Sequence, residues 1–396
     1  MITKKKASLQ DILRQANSFH FSNDYTKSVF EKLKDCRTQK LGWHLYQCNN
    51  MYCKENKMQY HSCRNRHCPH CGASKTDQWI EDRMRELFPC AYFHVVFTLP
   101  HELNKLCLAN RKLFFDLLFK ASSYTLLKFS SDHRYLGATP GIIQVLHTWG
   151  QQLSFHPHIH CIISGGGISK NEKWKDGIRK NAKFLFPIKA IQKVFKGYFI
   201  SELKKCLDKT PENKMLIQTL FLKNWIVYAK APFGGPQQVV EYLGRYTHKV
   251  AISNHRIKNV TEQNVSFYYK DYRDGGKTKI MSLAINEFLR RYEQHILPKR
   301  FVKIRSCGYL ANRKRTSRIN KIREHFLLDK LPLKTQVPFH LRILEKHGVN
   351  ILKCKCCGIG ILQLKSIVFK TNEKSKMKNN ENFLPKIRAD GNINYN

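Results

Sequence analysis

Two periods organise the apolar residues of this chain, and they succeed one another without a regular order. Leu9, Ile12 and Leu13 predict a helical lead-in within the first thirty or so residues. Thr76–Phe88 opens on a capping residue and carries Trp79, Ile80, Met84 and Leu87 at helical spacing, which predicts a helix. Ala91–Pro100, β-branched and aromatic and closed by proline, predicts a strand, and the Leu-rich run 101–129 predicts one or two helices. Gly141–Gly150 and His156–Gly166 read as neighbouring antiparallel strands joined by a short polar connection. Further on, Pro187–Leu207 predicts an amphipathic helix, Asn224–Phe233 a strand and Gln237–Lys249 a helix. Val250–Ile257 and Val265–Tyr272 read as a hairpin, and Ser282–Leu297 as a helix before the run FVKIR. Such a mixture lacks the steady alternation of a parallel α/β protein, so the expectation is an α+β fold on an antiparallel sheet flanked by helices. From Ser366 the chain is rich in Lys and Asn and poor in apolar residues, and is expected to be disordered.

Charge narrows the class of partner. Among 396 residues, 70 Lys and Arg stand against 29 Asp and Glu, a formal charge of +41 that opposes compaction unless a polyanion shares the field. Aromatic residues make up 12% and lie among the basic ones, a mixture suited to stacking unpaired bases while neutralising phosphates. No apolar run of transmembrane length and no secretory leader is visible, so the expected location is the cytoplasm, in association with DNA, with no membrane partner. In that compartment 14 cysteines point to metal rather than to disulfides.

Six of the cysteines lie between Cys36 and Cys71. The knuckles Cys48/Cys53 and Cys68/Cys71 suit a small N-terminal zinc-ribbon-like module with those four as ligands, and a closed set of four ligands makes the zinc structural. Cys36, His61, Cys63 and His67 stand close enough in sequence to replace a ligand or build a second site, so one ion or two remains open. Arg64 and Arg66 between the knuckles are candidates for phosphate contacts or for keeping the module soluble. CKCCG, at Cys354–Gly358, is half a zinc site with no visible partner pair nearby.

The stretch FHPHIHCIISGGG places His156, His158 and His160 on one face of a strand and Ile159, Cys161 and Ile163 on the other. In YLGRYTHK, Tyr242 and Tyr246 stand four apart on a predicted helix, which puts their Cβ atoms about 6 Å apart on one face. Gly244 between them costs a helix about 1 kcal/mol relative to Ala, a loss consistent with close approach of a nucleic-acid backbone. Arg245, His248 and Lys249 flank the pair with phosphate-binding charge.

FTLP after a strand, HPHIH heading another and YLGRY on a following helix occur in the order of the HUH nucleases. With SCRNRHCPHCG and YAKAPFGGPQQVVEYLGRYTHK, the chain resembles the two-tyrosine, rolling-circle transposases of the insertion-sequence ninety-one family. The resemblance covers residues 30 to 315 and departs from the pattern in the four-residue gap between Cys48 and Cys53. It implies a helical lead-in and zinc module over 1–88 and an HUH-type nuclease domain over 89–315. A basic segment with CKCCG over 316–365 and a tail over 366–396 follow. It implies that His158 and His160 hold a catalytic divalent ion, Mg or Mn, and that Tyr242 and Tyr246 are nucleophiles forming a 5′-phosphotyrosine on single-stranded DNA at transposon ends. Two imidazoles do not fill a coordination shell, and His147 ranks first as third ligand ahead of His156, Gln151 and Gln152. The competing readings are a noncatalytic zinc-ribbon nucleic-acid binder and a nuclease using dispersed carboxylates; the number of subunits is left open.

Overall fold

The computed structural model describes residues 6–16, 19–177, 185–230, 238, 239, 242, 244, 250–331 and 337–369, without the side chains of 72–76. The chain divides into two compact units, one of Met1–Cys36 with Cys63–Val337 and one of Arg37–Ser62 with Pro338–Asn396.

In chain order, the first half runs α1 (Leu9–Gln15), α2 (Asp24–Lys34), β1 (Gly42–Cys48), β2 (Asn56–Tyr60), α3 (Gly72–Met84), β3 (Tyr92–Thr98), α4 (Asn104–Ala109), α5 (Arg111–Ser131), β4 (Thr139–Trp149) and β5 (Phe155–Ile168). There follow β6 (Trp174–Asp176), α6 (Ile188–Lys204), α7 (Pro211–Leu222), β7 (Val227–Lys230), β8 (Ile257–Val260), β9 (Asn264–Asp271), β10 (Lys277–Ala284) and α8 (Ile285–Glu293). The last described elements are β11 (Ile304–Gly308), α9 (Arg315–His325), α10 (Phe339–His347) and β12 (Leu362–Phe369).

The main sheet of the larger unit has the order β11-β4-β5-β3-β7, with β6 paired to β5, and every pairing is antiparallel. Alternation gives it two unlike faces. Val95, Phe97, Ile142, Leu146, Ile159, Cys161 and Ile163 share one face and are buried in a single core with Phe114, Phe115 and Leu118 of α5 and Ile191, Phe195 and Phe199 of α6. Helix α5 begins where the Asn110 side chain accepts from the Leu113 amide at 3.3 Å, and it buries its hydroxyls by turning them inward: Ser122, Thr125 and Ser130 each donate to the carbonyl four residues back. The opposite face carries a smaller core of Tyr92, Ile143, Val145 and Ile162 with Trp174, Val239, Tyr309, Ile319 and Ile322. Gly166 serves this packing, since a Cβ there would lie 2.2 Å from the Trp174 ring.

A second sheet, β10-β9-β8, packs with α1, α2 and α8 around Leu9, Ile12, Phe30, Val265, Phe267, Phe288 and Tyr292. The smaller unit is a three-stranded sheet of order β12-β1-β2, in which Gly42 lies opposite Phe369 and Cys48 opposite Leu362.

The α+β expectation holds, with local corrections. Residues 250–256 are not a strand; the hairpin is β8, β9 and β10, and β10 takes in Ser282, where a helix was expected to begin. Helix α7 had no counterpart in the sequence reading, because Met215, Phe221 and Leu222 are exposed and blur any apolar stripe. The segment from Ser366 opens with four residues of β12, and 370–396 lie outside the described residues. No helix among the described residues is long and apolar enough to cross a membrane. Truncating Ile159, fully buried under α5 and α6, to Ala should lower the unfolding free energy by about 2–5 kcal/mol in a urea titration.

Candidate active site and metal centres

The histidines occupy the sheet face turned away from α5 and α6. On β5, His158 and His160 are two apart and share that face, and His147 of β4 lies directly opposite His158 in the register. One ring nitrogen from each of His147, His158 and His160 falls within 4.8 Å of the other two, a donor set that could hold a metal ion. Two of the rings have their other nitrogen engaged. His158 Nδ1 donates to the His156 carbonyl at 2.7 Å, which leaves Nε2 as the nitrogen with a lone pair to offer. His160 Nδ1 lies 3.0 Å from Nε2 of His94, a residue of β3 that the sequence reading passed over as one more position in an apolar run. His147 stacks on Trp149 with centroids 4.6 Å apart. Of the other candidates for third ligand, Gln151 is turned to Lys270 and Tyr272, and His156 is exposed on the same strand outside the trio.

His94 is 1% exposed and its ring lies parallel to that of His160, at 6° and 5.2 Å. Burial, with Lys230 and His158 beside it, drives its pKa down to about 3, so it is neutral at physiological pH. Tyr242 joins the cluster from the far side. Its ring is half-buried in the core that includes Val239, Val145 and Ile162, and its hydroxyl is 3.3 Å from His94 Nδ1 and 3.4 Å from Nε2. Lys230 lies 5.9 Å from the Tyr242 ring centroid. Tyr246, Arg245 and Lys249 lie outside the described residues.

The cysteines do not group as their spacing suggested. Cys48, Cys53, Cys68 and Cys71 do not form one set; each pair belongs to a different quartet. In the larger unit Cys68 and Cys71 join Cys36 and Cys63, while in the smaller unit Cys48 and Cys53 join Cys354 and Cys357 of CKCCG. Sulfur separations of 3.4 and 3.6 Å in the first and 3.7 and 3.8 Å in the second approach the edge of about 3.8 Å that tetrahedral zinc with Zn–S near 2.3 Å requires. Crowding pulls the proton affinities apart: hydrogen bonds from Cys36, Cys63 and Cys68 hold Cys71 far below the ordinary thiol range, and Cys36, Cys63 and Cys71 push Cys68 far above it. In the second quartet the amides of Gly360 and Ile359 hold Cys357 down to about 6, ready to bind as thiolate. None of the cysteines is joined in a disulfide. His67 enters neither quartet; it is buried, its carbonyl accepts from the Tyr292 hydroxyl at 2.6 Å, and burial pushes its imidazole down to about 3. Arg66 spends its guanidinium on the carbonyls of Phe301 and Pro298, and Arg64 is exposed with a left-handed backbone.

Known proteins share both regions. A family described as "Transposase zinc-binding domain" matches residues 6–99, and one described as "Putative transposase" matches residues 141–318. "Putative transposase y4qJ" of Sinorhizobium fredii is 37% identical over 352 residues, covering 84% of this chain and 87% of the relative. The "Transposase for insertion sequence element IS801" of Pseudomonas savastanoi pv. phaseolicola is 31% identical over 304 residues, covering 73% and 71%. No solved structure matches the chain. With a histidine cluster on an antiparallel sheet, a tyrosine hydroxyl against it, a zinc-binding region and relatives that match most of its length, the chain belongs to the IS91 family of insertion-sequence transposases.

Proposed function

We propose that this protein cleaves and rejoins single-stranded DNA at transposon ends, in a rolling-circle type of reaction carried by residues within 89–315. The observation that carries the reading is the approach of the Tyr242 hydroxyl to an imidazole cluster able to hold an ion. His147, His158 and His160 fit a divalent cation: they offer three nitrogens at close range, and His158 and His160 each have the second nitrogen engaged as metal-binding histidines do. Imidazole donors suit Mn better than Mg. An ion bound there would act as a Lewis acid toward a phosphate oxygen.

Tyr242 is the first nucleophile and Tyr246, four positions on in the sequence, the second. A phenol with pKa near ~10 is mostly protonated at pH 7, so it must shed its proton as it attacks. Its oxygen forms a bond to phosphorus, the bond from phosphorus to the 3′ oxygen breaks, and that oxygen takes up a proton as a free 3′ hydroxyl. The 5′-phosphotyrosine so formed conserves the phosphoester bond for rejoining without ATP. Arg245 and Lys249 serve as phosphate contacts, and a charge of +41 supplies the field that draws in a nucleic-acid strand, in the cytoplasm and in association with DNA. Each cysteine quartet holds a structural zinc ion, two per chain in all.

A labelled single strand carrying the cognate end should give a protein–DNA band that survives denaturant and requires Mn or Mg. The Tyr242→Phe, Tyr246→Phe double variant should abolish it, and His158→Ala with His160→Ala should reduce it about 100-fold or more. Binding without any such band would leave a noncatalytic nucleic-acid binder, and a band indifferent to the histidines would favour chemistry by dispersed carboxylates. Metal analysis of the purified protein should find two zinc ions per chain, falling to one in Cys354→Ser, Cys357→Ser; an unchanged count would remove CKCCG from the ligand set.

A further inference from the structure

His94 touches both halves of the proposed machinery, the ion-holding ring of His160 and the nucleophile Tyr242, and belongs to neither the HPHIH nor the YLGRY motif. The strand register makes its position obligatory. Val96 lies opposite His160, so His94, two residues earlier on β3, meets His160 diagonally on the same face, with Lys230 of β7 opposite it on the other side. Being 1% exposed, the ring finds its hydrogen-bond partners in protein rather than in bulk water.

The direction of those hydrogen bonds follows from proton counting. Neutral imidazole has one N–H and one lone pair. If His160 offers Nε2 to an ion, its Nδ1 carries the proton and donates across 3.0 Å to His94 Nε2. His94 Nε2 is then the acceptor, so the proton of His94 sits on Nδ1. In that tautomer His94 has no lone pair left to take a proton from tyrosine, and the Tyr242 hydroxyl oxygen, 3.3 Å from Nδ1 and 3.4 Å from Nε2, rests against the ring off the axis of either nitrogen.

We infer that His94 is a positioning residue that fixes the tautomer of His160 for ion binding by accepting its Nδ1–H, and that sets the Tyr242 hydroxyl in place by packing edge-to-face against the tyrosine ring, with centroids 4.9 Å apart. It is therefore not the general base. The inference rests on the function proposed above. It couples ion binding and the nucleophile through one buried ring: the side chain that locks His160 for the ion is also the surface against which the phenol rests.

Two variants separate this role from its rivals. His94→Phe keeps a ring of similar shape and removes both nitrogens, whereas His94→Gln keeps an acceptor and a donor on one planar group and cannot serve as a base. Mn²⁺ affinity, measured by calorimetry on the full chain without DNA, should fall about 10–100-fold in His94→Phe and recover to within a few-fold of wild type in His94→Gln. Covalent adduct formation at saturating Mn²⁺ should fall in His94→Phe and return to within about tenfold in His94→Gln. Adduct formation lost equally in both variants, with Mn²⁺ affinity restored in His94→Gln, would make His94 the base and overturn the assignment of its lone pair to His160. Wild-type Mn²⁺ affinity in His94→Phe would overturn the link to His160, as would loss in a His94→Gln protein whose melting temperature is unchanged. Failure of the parent reading looks different: wild-type protein would form no adduct at any Mn²⁺ concentration, whatever residue occupies position 94.

Discussion

The antiparallel pairing of β4 with β5 is the constraint on which the site depends. Setting His147 opposite His158 turns two distant sequence positions into adjacent rings, and the period of two then delivers His160 to the same face. A slip of β5 by one residue would send His158 and His160 into the apolar core and bring Ile159 and Cys161 out in their place. That register is held from the other side, where Ile142, Leu146, Ile159 and Ile163 are sealed beneath α5 and α6. The apolar half of the strand thus determines where the polar half points, and the two faces cannot be altered independently.

A sheet alone supplies ligands but no attacking group. Val239 and Tyr242 lie over the histidine-bearing face, with Val239 fully buried in a core with Ile143, Val145 and Ile162 and with Tyr242 packed at its margin. Tyrosine can be at once a packing residue and a reactive one because its ring buries while its hydroxyl reaches a polar partner. The cysteine quartets work at a different level. Cys36 and Cys63 mark the points at which the chain leaves the larger unit and returns to it, and within that unit the two share one quartet.

Much of this was legible in the chain. Alternation of Ile159, Cys161 and Ile163 with His158 and His160 has one structural solution, and the Leu-rich run before Phe129 had to be helical and buried. What escaped notice escaped for physical reasons. His94 sits inside FHVVF, where the neighbouring residues on both sides of the strand are buried, so nothing local separates a polar partner from a core position. Pairing of Cys48 with Cys357 spans 309 positions, and no local spacing rule reaches that far. Knuckle spacing revealed that thiols gather on metal but not which pairs meet, because a Cys-x-x-Cys fixes two ligands and leaves the other two to the fold. In β10, the run KTKIMSLA alternates only faintly and passes straight into α8 at Ile285, which is why its end was read as helix.

Joining β1 to β12 has a consequence for the order in which the protein matures. Cys48 leaves the ribosome 309 positions before its companion Cys357, and Cys53 301 positions before Cys354. The smaller unit therefore cannot close while the nascent chain is still short, whereas the strands of the main sheet have already been made. A message cut off before Cys354 would yield a polypeptide with its histidine face present and this quartet permanently half-built, so completion of the small unit is a molecular record that translation passed Cys357.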